Sequence, residues 1–203
     1  VGVDEARQQH TDMPADLDLE PLRTRLATES LDSVVDDLKT TLRTYTRKRG
    51  FISGGELHDL DGTYLAAKEL LHAADLAARR HDPTEAEELY VLHLLQETPG
   101  TQWPPAAELP ETLTAARGMA VVESVDTYRS ELRTWLDDHP DPEASKTLGS
   151  LRDQLKRAEA LQGDIALDTA DQLVTATREI SRDLREKDTD ALVSARDRLK
   201  RLG

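Results

Sequence analysis

LTAARGMAVVESVDTYRSELRTWL, residues 113–136, decides the fold: it carries Leu113, Val121, Val125, Tyr128, Leu132 and Leu136 at steps of three, four and eight. That spacing is one apolar face of a helix. Pro110 opens the segment, and Pro140 and Pro142 close it. The pattern predicts a helix of about 28 residues, about 42 Å long at roughly 1.5 Å per residue, long enough to be the spine of the molecule. Gly118 within it predicts a close contact with a neighbouring helix.

The same periodicity continues on both sides of this spine. Leu148, Leu151, Leu155 and Leu161 predict a helix that runs to Gly163. Asp168 is expected to cap another, carrying Leu173, Ile180 and Leu184, and Asp188 the last, with Leu192, Ala195, Leu199 and Leu202. Toward the N-terminus, Leu22 and Leu26, then Leu31, Val34, Val35, Leu38, Leu42 and Tyr45 mark a helical face with a restart at Ser30 after a kink near Thr28. It ends on Arg47-Lys48-Arg49-Gly50, cations in a last turn followed by a glycine stop. Phe51 to Gly62 reads as a turn-rich connection around Gly54-Gly55. Tyr64, Leu65, Leu70, Leu71, Ala74 and Ala78 form a helix closing on Arg79-Arg80-His81. Asp82-Pro83-Thr84-Glu85 then reads as a start signal, with Asp82 as cap and Pro83 in the first turn, for a helix with Leu89, Leu92 and Leu95.

The chain is therefore expected to be all-α: seven or eight antiparallel helices in two bundles sharing an interface around the long central helix, with no substantial sheet. Residues 1–17 read as an extended arm, 18–97 as an N-terminal helical half and 98–110 as a Pro-rich linker held down by Trp103. Residues 111–203 read as a C-terminal helical half packed as one unit.

Acid outnumbers base by 40 to 26, giving a net charge of -14, and the excess has a particular make-up: 23 Asp against 17 Glu, and 19 Arg against 7 Lys. With no cysteine and a single phenylalanine, Phe51, the composition is that of a protein adapted to molar salt, whose short carboxylates bind water and cations and keep it soluble. At salt near 1 M the Debye length is about 3 Å, so net charge alone says little about partners there. The absence of cysteine excludes disulfides, thiolate metal sites and cysteine nucleophiles within this sequence. No window approaches the roughly 20 apolar residues of a membrane span and no charged-then-apolar stretch resembles a signal peptide, so a cytoplasmic protein without membrane contact is expected. A start at Val1-Gly2-Val3 leaves room for a preceding segment, either a processed leader or a further domain.

The motifs that could carry chemistry are incomplete. Glu69-Leu70-Leu71-His72 is a Glu-x-x-His step, but a carboxylate-bridged metal pair needs two such steps and the sequence has one. Asp59-Leu60-Asp61-Gly62 fails as a calcium loop, because with Gly62 at position six Leu57 and Lys68 fall where acids belong; Asp61 reads instead as a helix cap. Gly54-Gly55 lacks the Gly-Lys-Ser/Thr of a phosphate loop, and no nucleophile elbow or His-Glu-x-x-His is present. No cofactor is expected. The remaining candidate is Arg47, Lys48, Arg49 and Phe51, three cations and a ring in an acidic chain, as a contact for a partner or for a nucleic-acid strand. The competing reading makes the cations complements to the helix dipole and Phe51 a latch onto the core.

Arg49-Gly50-Phe51-Ile52, Gly55-Glu56-Leu57, Thr63-Tyr64-Leu65-Ala66-Ala67 with Glu69-Leu70, Tyr128-Arg129, Trp135-Leu136 and Asp138-His139-Pro140-Asp141-Pro142 together resemble an uncharacterised family of haloarchaeal helical proteins. The resemblance implies fuller members that begin with a short zinc ribbon, similar to that of archaeal basal transcription factors, ending just before a segment like Val1-Gly2-Val3-Asp4-Glu5. None of the ribbon's cysteines lies in this chain, so no zinc ligand is carried over. Residues 148 to 202 are also similar to the helical lid of the seventy-kilodalton chaperones, in a pattern that generic antiparallel helices share.

With many capped helices and no assembled catalytic set, the expected function is a non-enzymatic helical interaction or scaffold module. It would present the Arg47 to Ile52 corner and the long helix to a macromolecular partner, a protein in the first instance. The alternative is a nucleic-acid, ribosome or transcription-associated factor that uses the basic-aromatic corner. A third reading, a helical enzyme, would draw on Glu69 and His72.

Overall fold

A computed structural model describes residues 16–79, 82–98 and 108–203. The extended arm, apart from its last two residues, and most of the Pro-rich linker with Trp103 lie outside them, as do Arg80 and His81. The helices are α1 (Glu20–Leu26), α2 (Leu31–Lys48), α3 (Gly62–Arg79), α4 (Glu85–Glu97), α5 (Thr114–Asp138), α6 (Pro142–Ala160), α7 (Leu167–Glu186) and α8 (Thr189–Leu202). Strands β1 (Ile52–Ser53) and β2 (Glu56–Leu57) pair antiparallel, Ile52 opposite Leu57 and Ser53 opposite Glu56. They are joined by Gly54 and Gly55, both at positive φ (58° and 77°), as a tight two-residue hairpin requires. The protein is all-α, with this minor hairpin as its sheet.

The predicted spine is α5, preceded by one 3-10 turn over Glu111–Leu113. All six residues of its predicted face are buried, and so are Ala116, Ala120, Val122 and Ser124 on other sides. Burial on several sides follows from its neighbours: α3, α6 and α7 all pack on it. Helices α6, α7 and α8 pack on one another, α2 and α4 pack on α3, and the α3–α5 contact joins the two groups. A single hydrophobic cluster runs through both, from Leu19 and Leu22 through Leu70 and Tyr128 to Ile180 and Leu199.

Several helix ends differ from their sequence readings. Thr84, not Asp82, caps α4: its hydroxyl accepts from the Glu87 N–H at 3.2 Å while the Glu87 carboxylate accepts from the Thr84 N–H at 3.3 Å. This reciprocal pair satisfies two helix-end donors at once, which a lone Asp82 would not. Helix α4 buries Glu87, Tyr90, Val91, Leu94 and Leu95 and leaves Leu89 at 59 % exposure. Asp168 stands inside the first turn of α7 rather than at its cap, which is Ala166. Helix α6 stops at Ala160, before Leu161, which is exposed. There the Gln162 N–H donates to Glu159 O (2.9 Å) and the Gly163 N–H to Ala158 O (3.2 Å), with Gln162 in the left-handed region at φ 53°, a Schellman stop. Asp61 and Asp188 cap as expected, accepting from the N–H groups of Tyr64 at 2.7 Å and Ala191 at 3.2 Å.

Gly118 makes the close approach its position in the spine implied, to a turn rather than to a helix. A Cβ there would stand 1.9 Å from the carbonyl oxygen of Gly163, and one on Gly163, at φ +79°, would stand 2.6 Å from the Met119 nitrogen. Two glycines thus let the α6–α7 turn lie directly on the backbone of α5.

Candidate functional site

The four residues singled out at the corner after α2 separate into two pairs. Arg47 and Lys48 stand exposed in the last turn of α2. Phe51 is fully buried, its ring edge-on to Tyr64 (5.1 Å) and to Tyr128 (4.9 Å) and its N–H donating to Glu131 Oε1 at 2.9 Å. Arg49 folds back over that ring, 4.7 Å from its centroid, and donates to Asp61 Oδ2 at 3.0 Å. Phe51 is thus the latch, and its ring cannot stack on a base without leaving the core. Arg49 fastens the hairpin to the start of α3.

Arg47 belongs to a different grouping. It lines a cleft of about 280 Å³ between α2, α3 and α5 with Arg43, Lys68, Thr46 and Thr127, three cations and no acid. On the other side of α5, a groove of about 330 Å³ against α6 is lined by Arg129, Arg133, Arg152, Asp137 and Ser145 over Leu136, Leu148 and Gly149. A further hollow of about 300 Å³ shares Arg129 and Arg152 and adds Lys156, with Glu123, Asp126 and Glu159 as its acids. Glu123 links the two sides, since it meets Lys68 Nζ at 3.4 Å and His72 Nε2 at 2.9 Å. Burial would raise its carboxyl, but His72 and Lys68 outweigh that and hold it below the usual carboxylate range. Together the three hollows are lined by seven Arg and Lys and four acids, in a chain where acids lead 40 to 26; two of the seven are paired, Lys68 with Glu123 and Arg129 with Asp126.

Six of those seven cations come as i,i+4 pairs on three helices: Arg43/Arg47, Arg129/Arg133 and Arg152/Lys156. A like-charge pair at this spacing costs an isolated helix about 0.2–0.5 kcal/mol. The pairs are visible in the sequence, but nothing there says that three separate helices bring them to one face. Of the seven, the sequence singles out only Arg47, because it sits in a run of cations.

The buried ionisable groups serve the fold. Glu69, fully buried, accepts a short hydrogen bond from the Tyr90 hydroxyl; burial and this carboxylate push the Tyr90 phenol far up. His72, one helical turn on, meets Glu123 on α5 instead, so Glu69 and His72 belong to different contacts and form no shared reactive pair. Tyr128 Oη lies 2.5 Å from the His58 carbonyl oxygen and 2.7 Å from Ser181 Oγ, which accepts from Arg185 Nε at 2.9 Å. The single phenolic proton must serve the carbonyl, so the Ser181 hydroxyl donates to Tyr128 in turn. Among the described residues no group of three His, Asp or Glu is placed to hold a metal ion, and no helix is long and apolar enough to cross a membrane.

Comparison with curated proteins and with solved structures gives no match. A family of unknown function (DUF7117) matches residues 1–199, and this chain belongs to that family.

Proposed function

We propose that the chain is a non-enzymatic helical scaffold that offers the exposed stripe of α5, flanked by α2, α3 and α6, to a macromolecular partner. The observation that carries this reading is the excess of cations in the hollows beside that stripe, seven to four acids on an acidic chain. A surface built only for solubility has no reason to gather like-charged pairs from three helices. The placement of Glu69, Tyr90 and Tyr128 supports the non-enzymatic half of the proposal, since each of these buried titratable side chains is engaged in holding one element to another. The setting we propose is the cytoplasm of a salt-adapted archaeal cell, with a zinc ribbon preceding this helical part in the complete protein.

The test is a pull-down at high salt with the tagged full-length protein, with and without nuclease, beside an Arg133→Glu/Arg152→Glu variant. A partner, protein or nucleic acid, recovered by the wild type and absent with the variant is the expected result. Recovery of nothing, or of the same partners by both proteins, refutes the scaffold reading at this face.

A further inference from the structure

We infer that the partner is the phosphodiester backbone of a nucleic-acid duplex, gripped across α5 without reading its bases. This rests on the scaffold reading and names the chemistry of its partner. Five of the seven cations are arginines, whose planar forks match phosphate oxygens two at a time. Ser145 and Thr127 place hydroxyl donors beside them, the short polar contacts that fix a backbone in register.

What the clefts lack decides between duplex and single strand. Tyr64 is the one ring among their lining residues, and it is 1 % exposed. A protein that holds a single strand depends on stacking bases against open rings, whereas a duplex keeps its bases inside and turns its phosphates outward. The Arg43/Arg47 cleft and the Arg133/Arg152 groove lie on either side of α5, so the two can address separate phosphates of one duplex. The four acids among the cations hold the net charge of the face to about +3, so binding should be modest and strongly salt-dependent.

Fluorescence anisotropy of labelled RNA and DNA duplexes of mixed sequence, a non-pairing single strand of the same length and polyglutamate tests this. The full-length protein would be titrated over the salt range in which circular dichroism shows it folded. At least one duplex should bind more tightly than the single strand and polyglutamate, and the RNA and DNA arms identify which duplex the face prefers. Arg43→Ala/Arg47→Ala and Arg133→Ala/Arg152→Ala should each weaken binding about tenfold and flatten the log–log salt slope by about two, one unit for each phosphate no longer neutralised. Lys200→Ala/Arg201→Ala, exposed on α8 and outside the clefts, should change neither. Tighter binding of the single strand or polyglutamate, no binding of either duplex, or an equal weakening in the α8 variant would overturn the inference. A nuclease-resistant protein recovered through this face, with no duplex binding, would leave the scaffold reading standing and the duplex refuted.

Discussion

Replacing Gly118 by alanine sets two effects of known sign against each other. In the interior of α5 the change removes a residue that costs about 1 kcal/mol relative to alanine, so helix propensity alone would stabilise the protein. The new methyl carbon, however, would lie 1.9 Å from the Gly163 carbonyl oxygen and 2.8 Å from its carbon, and both are backbone atoms. An ordinary carbon–oxygen contact is about 3.3–3.6 Å, so the α6–α7 turn must retreat by about 1.5 Å. Gly163 has little room to rotate, because its N–H is held by Ala158 O in the Schellman stop and its Cα lies against the Met119 backbone. Overpacking of this kind costs about 1–3 kcal/mol where side chains can adjust, and here the obstacle is backbone on both sides. The expected result for Gly118→Ala is a net loss of about 2 kcal/mol or more, a fall of roughly 4–8 °C in Tm for a chain of this length. Gly149→Ala is the matched control: it lies within α6 with nothing within 4 Å of its would-be Cβ, so it should gain about 1 kcal/mol. Urea unfolding followed by far-UV circular dichroism at fixed salt measures both. A Gly118→Ala protein as stable as wild type, or shifted in the same direction as Gly149→Ala, would refute the close-approach reasoning.

Asp183→Asn should stabilise the protein by about 1 kcal/mol at neutral pH, because burial and the neighbouring Asp141 and Asp188 carboxylates raise the Asp183 carboxyl. A carboxyl whose folded value lies above its unfolded value costs stability while ionised; the wild type should therefore regain the difference as pH falls toward about 4, and a gain independent of pH in parallel urea titrations would contradict this. Tyr128→Phe removes the donor to the partly buried His58 carbonyl and the acceptor of the Ser181 hydroxyl and should cost about 1–2 kcal/mol in the same unfolding assay, with no loss of partner recovery in the pull-down, since Tyr128 is buried.

The helices were legible wherever local chemistry decides. The α5 face, the kink before Ser30 and the Asp188 cap follow from spacing and capping residues that act within a turn or two. Errors fell where two local signals competed. Asp82-Pro83 imitates a start, but Thr84 with Glu87 forms the reciprocal cap, and the face that α4 buries against α3 runs through Tyr90, Val91 and Leu94 rather than Leu89. At Leu161 the leucine period continues past the point where the backbone has already turned at Gln162.

The corner illustrates why function was harder to read than fold. Arg47, Lys48, Arg49 and Phe51 are adjacent in sequence, and adjacency invites a joint reading, yet the chain passes from helix to hairpin between them and sends Arg49 and Phe51 inward. Aromatic content this low makes the single phenylalanine more valuable to the core than to a surface, since Phe51 fills the space between Tyr64 and Tyr128 that joins the two helical groups. The cations that do share a face, Arg43 with Lys68 and Arg129 with Arg152, are separated in sequence by more than twenty residues in each pair, and only the packing of α2 on α3 and of α6 on α5 brings them together. Each helix holds its own like-charged pair at a small cost, and those costs are local. The field they produce is a property of the assembled face, so it rises and falls with the fold: a change that displaces α6 from α5, as Gly118→Ala should, is expected to weaken the Arg129–Arg152 groove while leaving the Arg43–Arg47 cleft on the far side intact.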